Sequence, residues 1–356
     1  MPALWYSTRM KKFFWNELKT PIIGLAPMDG VTDAPFRHIV AKYGKPDLFF
    51  TEFTSVEGIC AGAIKPLNAF IYGENERPIV AQLFGSTPEC FYKAFFVAAE
   101  HGFDGIDINM GCPSKNITIK GSGAGLIKTP QLAVQIIKEC QRAALDFAGG
   151  KTFRDVDLPD TTVNYLKHNR AKPAETKLLP VSVKTRLGYH TNIVKDWIGL
   201  LLEQKPAAIT VHGRTYKQMY TGAADWESIA LAAKLAAGSG IPIIGNGDIR
   251  SAAQAHEYSK TYGTNGVLIG RAALGKPWIF NAKQTTDPPV AEIFKITLEH
   301  ALLQEKLLPE IPFLHMRKHL AWYCRGFPDA SEVRQQLMRA NSSADVKRIL
   351  TATKIK

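Results

Sequence analysis

From Pro21 onward, short apolar runs alternate with longer segments whose apolar residues recur at helical spacing. The runs at 22–26, 47–51, 79–84, 105–108, 180–185, 207–211, 242–245 and 266–269 read as strands. Between them, 33–43, 88–101, 130–147, 193–203, 226–237 and 251–259 carry the pattern of helices. Ser86, Thr87 and Pro88 open one of these with a cap and a proline in the first turn. Such repeated strand–helix alternation predicts an α/β fold, a parallel (β/α)8 TIM barrel, rather than an open doubly wound sheet. No GxGxxG follows the first strand, which also weighs against a dinucleotide-binding sheet.

Two intervals break the rhythm. Residues 148–178 are polar, mixed in charge and without helical period, so they read as a surface insertion between the fourth helix and the fifth strand. After Pro288 and Pro289 the pattern becomes helix only, at 291–306, 312–325, 331–341 and 343–351, with Ser331 and Ser343 as expected caps. The chain thus divides into a barrel over 1–288 and a small α-helical C-terminal domain over 289–356.

Chemistry in a parallel barrel gathers at the carboxyl ends of the strands. Here those ends carry Pro27, Met28 and Asp29, then Gln82, then Asn109 and Cys112, then Lys184 and Arg186. His212 and Arg214, Asn246, Gly247 and Asp248, and Gly270 and Arg271 complete the ring. Glycines and Arg271 after the seventh and eighth strands suit a phosphate, because bare backbone N–H groups and a guanidinium both favour an anion. Lys184, with His212 beside it, can place positive charge at the edge of a flavin ring where negative charge develops on reduction. Gln82 and the Pro27–Met28 backbone can bond the ring's polar edge. Together these point to FMN. Cys112, held between Gly111 and Pro113 at a strand end, reads as a reactive thiol; a small buried hydrophobe is the plainer alternative.

Composition changes the picture in three ways. A net charge of +12 and an isoelectric point near 9.4 favour a polyanionic partner. The five cysteines form an odd set with no CxxC pair, which argues for a reducing compartment and against a disulfide frame or a structural metal. No apolar run is long enough to span a bilayer, and the first twenty residues lack the apolar core of a secretory leader, so a cytoplasmic location and no membrane partner are expected. Trp5, Phe13, Phe14 and Trp15 read instead as a packed lead-in to the barrel.

The motifs APMDGVTDAPFR (26–37), INMGCPSKNITIKGSGAGL (108–126), VKTRLGY (183–189), VHGRTYKQMYTGAADW (211–226), IGNGDIRS (244–251) and LIGRAALGKPWIF (268–280) resemble those of the tRNA-dihydrouridine synthases. The run RKHLAWYCRGFPDASEVR (317–334) is similar to the helical tRNA-binding domain of the bacterial B-type subfamily, whereas the insertion at 148–178 departs from that subfamily's short connection. The resemblance implies FMN held by Pro27, Met28, Asp29, Gln82, Lys184, His212, Asn246, Gly247, Asp248, Gly270 and Arg271. It implies Cys112 as the catalytic acid, Asn109 and Arg186 as the grip on the uracil, and NADPH (or NADH) as reductant. Arg317, Lys318 and Arg325, interleaved with aromatic residues, are the expected tRNA contacts, and a monomer without metal is expected. Two rival readings keep the barrel: an FMN enzyme acting on a free pyrimidine, as dihydroorotate dehydrogenases do, and an RNA-binding protein that has lost catalysis. The same reduction directed at ribosomal RNA is a third.

Overall fold

The computed structural model describes residues 13–169, 176–284 and 286–353. A four-residue helix, α1 (Phe14–Glu17), precedes strand β1 (Ile22–Leu25). Then follow α2 (Ala34–Tyr43), β2 (Phe49–Phe50), α3 (Val56–Cys60), β3 (Ile79–Phe84), α4 (Pro88–Glu100) and β4 (Gly105–Met110). A short α5 (Lys115–Thr118) and the long α6 (Pro130–Ala148) lead to α7 (Asp160–Asn169) and β5 (Val181–Arg186). The second half runs α8 (Val194–Glu203), β6 (Ile209–His212), α9 (Trp226–Leu235), β7 (Ile243–Asn246), α10 (Ala252–Tyr262) and β8 (Gly266–Ile269). All pairings are parallel, in the order β1-β8-β7-β6-β5-β4-β3-β2. Leu25 N bonding Leu48 O at 3.0 Å brings the chain before β2 against β1 and nearly closes the ring. This is the expected (β/α)8 barrel.

The strands are buried on both faces, with helices covering the outer one. Every residue of β1, β7 and β8 is buried. At the amino ends of the strands the expected lead-in is present: Phe13 and Trp15 are buried, with Trp15 tilted against Phe50 at 6.2 Å. Trp5 lies outside the described residues.

Two expectations need correction. The insertion is not aperiodic: α7 buries Thr162 and Leu166, and it packs beside the segment following β2. Thr161 Oγ1 donates to Gly62 O at 2.9 Å, Thr162 Oγ1 to Ile59 O at 3.3 Å and Tyr165 Oη to Leu67 O at 3.3 Å. Only one narrow stripe of α7 is buried, so its apolar period is too sparse to stand out in the sequence. The expected serine caps are also displaced. The helix over Ala330–Leu337 begins without a side-chain cap, and the helix over Ser343–Ala352 is capped by Ser342, whose hydroxyl accepts from Asp345 N. Ser343 instead donates its backbone N–H to Glu305 at 2.7 Å.

The C-terminal helices are α11 (Val290–Leu307), α12 (Arg317–Tyr323), α13 (Ala330–Leu337) and α14 (Ser343–Ala352). They share a core of their own around Met316, Leu320, Leu337 and Val346. A separate cluster of Ile39, Trp278, Ile293, Ile296 and Tyr323 joins them to α2 of the barrel. Lys42 and Tyr43 both reach Glu299 at 2.6 Å across the same seam.

Candidate active site

The strand ends open into one cavity of about 850 Å³, a volume suited to a cofactor together with a small ring. Pro27, Met28, Asp29, Gln82, Asn109, Cys112, Lys184, Arg186, His212, Asn246, Gly247, Asp248, Gly270 and Arg271 all line it. Side chains alternate along a strand, so β4 sends Asp107 and Asn109 inward, and β5 likewise sends Ser182, Lys184 and Arg186.

One hydrogen-bond chain orders the β3–β5 side. Ser182 Oγ and Gln82 Nε2 donate to the two oxygens of Asp107, at 2.7 and 2.8 Å. Gln82 Oε1 accepts from Asn109 Nδ2 at 2.8 Å, and Asn109 Oδ1 accepts from the backbone N–H groups of Gly111 and Cys112 at 3.1 and 2.9 Å. Asn109 therefore shapes the turn that carries the thiol. Burial pushes the Cys112 thiol above its ordinary pKa; a backbone N–H from Ser114 opposes this, Asp29 adds to it, and Arg186 and Lys184 lower it. The thiol keeps its proton near neutrality, as a proton donor must.

Arg186 is nearly inaccessible, and burial pulls its pKa down to about 10. Its Nε donates to Gly111 O at 2.7 Å, and its Nη1 to Thr215 O and Met219 O at 3.1 and 3.2 Å. It thus ties the thiol turn to the loop after β6. Lys184 has its pKa lowered to about 8, first by burial and then by Arg186, against the pull of Asp107 and Cys112. His212 lies well below its ordinary value through burial and through Arg186, Lys184, Arg214 and Arg271 around it, so it is a neutral ring. The expected positive charge at this edge is Lys184 alone; His212 offers a neutral donor.

On the β7–β8 side, Gly247 has φ +131 and Asp248 φ +56, and both residues of this turn line the cavity. A Cβ on Gly247 would come within 2.7 Å of the Ala224 Cβ, so only glycine fits. Asp248 accepts from Arg214 Nη2 at 2.6 Å, from Ala224 N at 2.8 Å and from Arg271 Nη2 at 2.9 Å. The Asp248 carboxylate is held below its usual range despite partial burial, chiefly by the Arg214 bond. Arg271 remains half exposed and faces the Tyr220 ring at 5.4 Å.

The three expected contacts in the helical region lie apart from the cavity lining. Arg317 is engaged within its own domain, donating to Ala340 O at 2.9 Å and Asn341 Oδ1 at 2.7 Å. Lys318 Nζ donates to Gly30 O, linking α12 to the loop after β1. Arg325 is exposed. Sequence reasoning missed Asp107, an acid within an otherwise apolar strand, two residues before Asn109. It also left unassigned Arg214, whose Nη2 spans Gly222 O and Asp248.

Fold and cavity define a (β/α)8 barrel in which the Cys112 thiol, Lys184, Arg271 and the Gly247–Asp248 turn line one space. The chain belongs to the dihydrouridine synthase family, an oxidoreductase family whose sequence model matches residues 24–147 and 148–356. It is 37% identical over 350 residues to a probable tRNA-dihydrouridine synthase of Staphylococcus aureus (strain MRSA252), covering 96% of this chain and 95% of that one. The probable tRNA-dihydrouridine synthase 2 of Bacillus subtilis (strain 168) is 35% identical over 349 residues, with 96% of each covered. Among solved structures, an old yellow enzyme homologue from Zymomonas mobilis aligns with a TM-score of 0.44 at 12% identity, over 76% of this chain and 91% of that one. That likeness is too loose to add to the assignment.

Proposed function

We propose that this enzyme reduces specific uridines of tRNA to 5,6-dihydrouridine, with FMN in the cavity and NADPH as reductant, in the cytoplasm. The observation that carries the reading is the shared cavity: Cys112 on one wall, and on the other the Gly247–Asp248 turn with Arg271. The residues present fit FMN, since the turn and Arg271 suit a phosphate, while Lys184, Gln82 and the Pro27–Met28 backbone suit the ring edge. Bound there, the flavin supplies the hydride that reaches C6 of the uracil.

The protein's own part is proton transfer, charge and position. The Cys112 thiol delivers its proton to C5, and burial keeps that thiol protonated until it is needed. Lys184 and Arg186 stabilise the enolate oxygen that forms as hydride arrives. Arg186 also holds the loop carrying Met219 and Tyr220 over the mouth. A uridine within tRNA reaches such a site only by leaving its stack, at about a few kcal/mol, which backbone contacts must offset. Rim groups suited to RNA lie beside the thiol turn: Tyr189 and Tyr216 stack at 4.2 Å, and Lys128 covers the Tyr189 ring at 4.6 Å. The net charge of +12 favours the same partner.

The test is dihydrouridine mapping in tRNA and ribosomal RNA from cells lacking the protein, paired with Cys112→Ala in vitro. The variant should retain FMN and oxidise NADPH yet form no dihydrouridine. Normal product yield from it would remove Cys112 as the acid. Loss confined to ribosomal RNA, or equal activity on free uracil, would replace tRNA as substrate.

A further inference from the structure

The seam between barrel and C-terminal helices holds a second group of chemistry-bearing side chains. Asp33 caps α2, one carboxylate oxygen accepting from Phe36 N at 3.0 Å. His300 comes from α11 and His319 from α12, and both are almost wholly buried, at 0% and 1% exposure. One ligand atom from each of the three residues lies within 4.8 Å of the other two. His300 Nδ1 is 3.1 Å from Tyr323 Oη, while its Nε2 and both ring nitrogens of His319 meet no hydrogen-bond partner among the described residues. The rings are otherwise packed among aromatic residues, with Phe36 5.3 Å from His319 and Trp322 5.0 Å from it.

Native interiors rarely leave buried polar atoms unsatisfied, so three free ring nitrogens in one apolar seam call for a partner. Asp33 brings one anionic ligand to the seam. Asp33 interacts with Glu76 and Glu52, and Glu52 with Asp29, whereas Arg37 and Lys318 are the cations acting on Asp33. Arg37 is paired with Glu76 at 2.7 Å, whereas Lys318, bonded to the neutral Gly30 carbonyl, keeps its charge and acts on His319 as well, so the ion must be held by the three ligands themselves.

We propose that Asp33, His300 and His319 bind a zinc ion that clamps α11 and α12 to the amino end of α2. Two imidazoles and a carboxylate are a donor set zinc accepts, and its bonds of about 2.0–2.2 Å require the three side chains to close by roughly 1 Å. Metal-bound histidines commonly donate their second ring N–H to a neighbouring acceptor, and Tyr323 Oη stands where His300 Nδ1–H needs one. That bond sets the tautomer that leaves Nε2 free for the ion. The site is separate from the catalytic cavity, whose lining includes none of the three. Its role is therefore to fasten the helices to the barrel. Cysteine spacing could not reveal it, because the ligands come from three distant segments and none is a thiol.

The test uses full-length protein with any affinity tag removed. Elemental analysis should find about one zinc per chain. Chelation should lower the melting temperature, Zn2+ should restore it, and Co2+ added to the chelated protein should give visible absorption of a tetrahedral site. His319→Gln and Asp33→Asn should lose the metal, while His256→Ala, at an exposed histidine on α10, should keep it. If His319→Gln does not fold, the cobalt spectrum and melting shift of the unaltered chain still decide. Protein that is metal-free as purified, with no cobalt band and no melting shift on adding Zn2+, overturns the proposal. So does zinc retained in full by His319→Gln. None of these readings depends on flavin or product, so the clamp stands or falls apart from the reduction chemistry.

Discussion

Asp107 is buried inside the barrel, bonded to the cavity-lining Gln82, and its removal separates two roles that a single alanine scan would merge. In Asp107→Leu, Gln82 Nε2 and Ser182 Oγ lose their acceptor, at about 1–3 kcal/mol for each buried donor left unpaired. Against this stands a gain. Burial raises the Asp107 pKa from 3.8 to about 6, opposed by the Ser182 and Gln82 bonds and by Lys184. The native state then holds a proton that the unfolded chain has already lost, so the group lowers stability as pH rises from about 4 to about 6. The penalty persists above that, at about 3 kcal/mol for two pKa units. The two effects nearly cancel in Asp107→Leu, so its melting temperature at pH 7 should move little. Its chemistry should not be spared. Without Asp107 the Gln82 amide is free to turn over, and its bond to Asn109, which shapes the Cys112 turn, is lost with it. One oriented hydrogen bond of about 1.4–2.8 kcal/mol corresponds to a roughly 10- to 100-fold fall in single-turnover dihydrouridine formation. Asp107→Asn differs, because its amide oxygen can accept from Gln82 while the Ser182 hydroxyl rotates to accept from its NH2. It should keep the rate within about a few-fold and be more stable than the unaltered chain at pH 7, an advantage that vanishes near pH 4. Rapid-quench product analysis and melting curves at the two pH values check this. Equal rates in the Leu and Asn variants would refute the orientation argument.

The other expectations concern the cradle, the cation and the RNA contact. Gly247→Ala forces a Cβ to 2.7 Å from the Ala224 Cβ at a φ of +131, so flavin occupancy measured by absorbance should fall sharply while the barrel still folds by circular dichroism. With the Lys184 pKa lowered to about 8, the first-order rate should fall as pH rises above about 8; Lys184→Met should be slow throughout, with that limb gone. Arg325→Gln should weaken tRNA binding across sequences and lower the salt slope by about one unit, read from filter binding over a salt series. Arg317→Gln should act mainly on melting temperature, because its guanidinium is engaged with Ala340 and Asn341.

The sequence displayed the barrel clearly because strands buried on both faces leave short apolar runs that stand out between amphipathic helices. It displayed the mouth for a related reason: each strand must end where backbone leaves the sheet, so Asn109, Lys184, His212 and Asn246 were marked by position. What it hid were relations. Asp107 was one acid in an apolar strand until Gln82 and Ser182 were seen to face it. The bond from Lys318 to Gly30 joins segments whose meeting no local pattern encodes. Helix α7 escaped notice because only Thr162 and Leu166 carry its buried stripe.

The seam of Ile39, Trp278, Ile293, Ile296 and Tyr323 has a bearing on how this enzyme can be dissected. Because α2 lends its outer flank to α11, a barrel fragment ending near residue 288 would carry an uncovered hydrocarbon face and would aggregate rather than report on catalysis. The two regions share that seam, so grafting a foreign C-terminal module to redirect the enzyme to another RNA would have to rebuild that flank first.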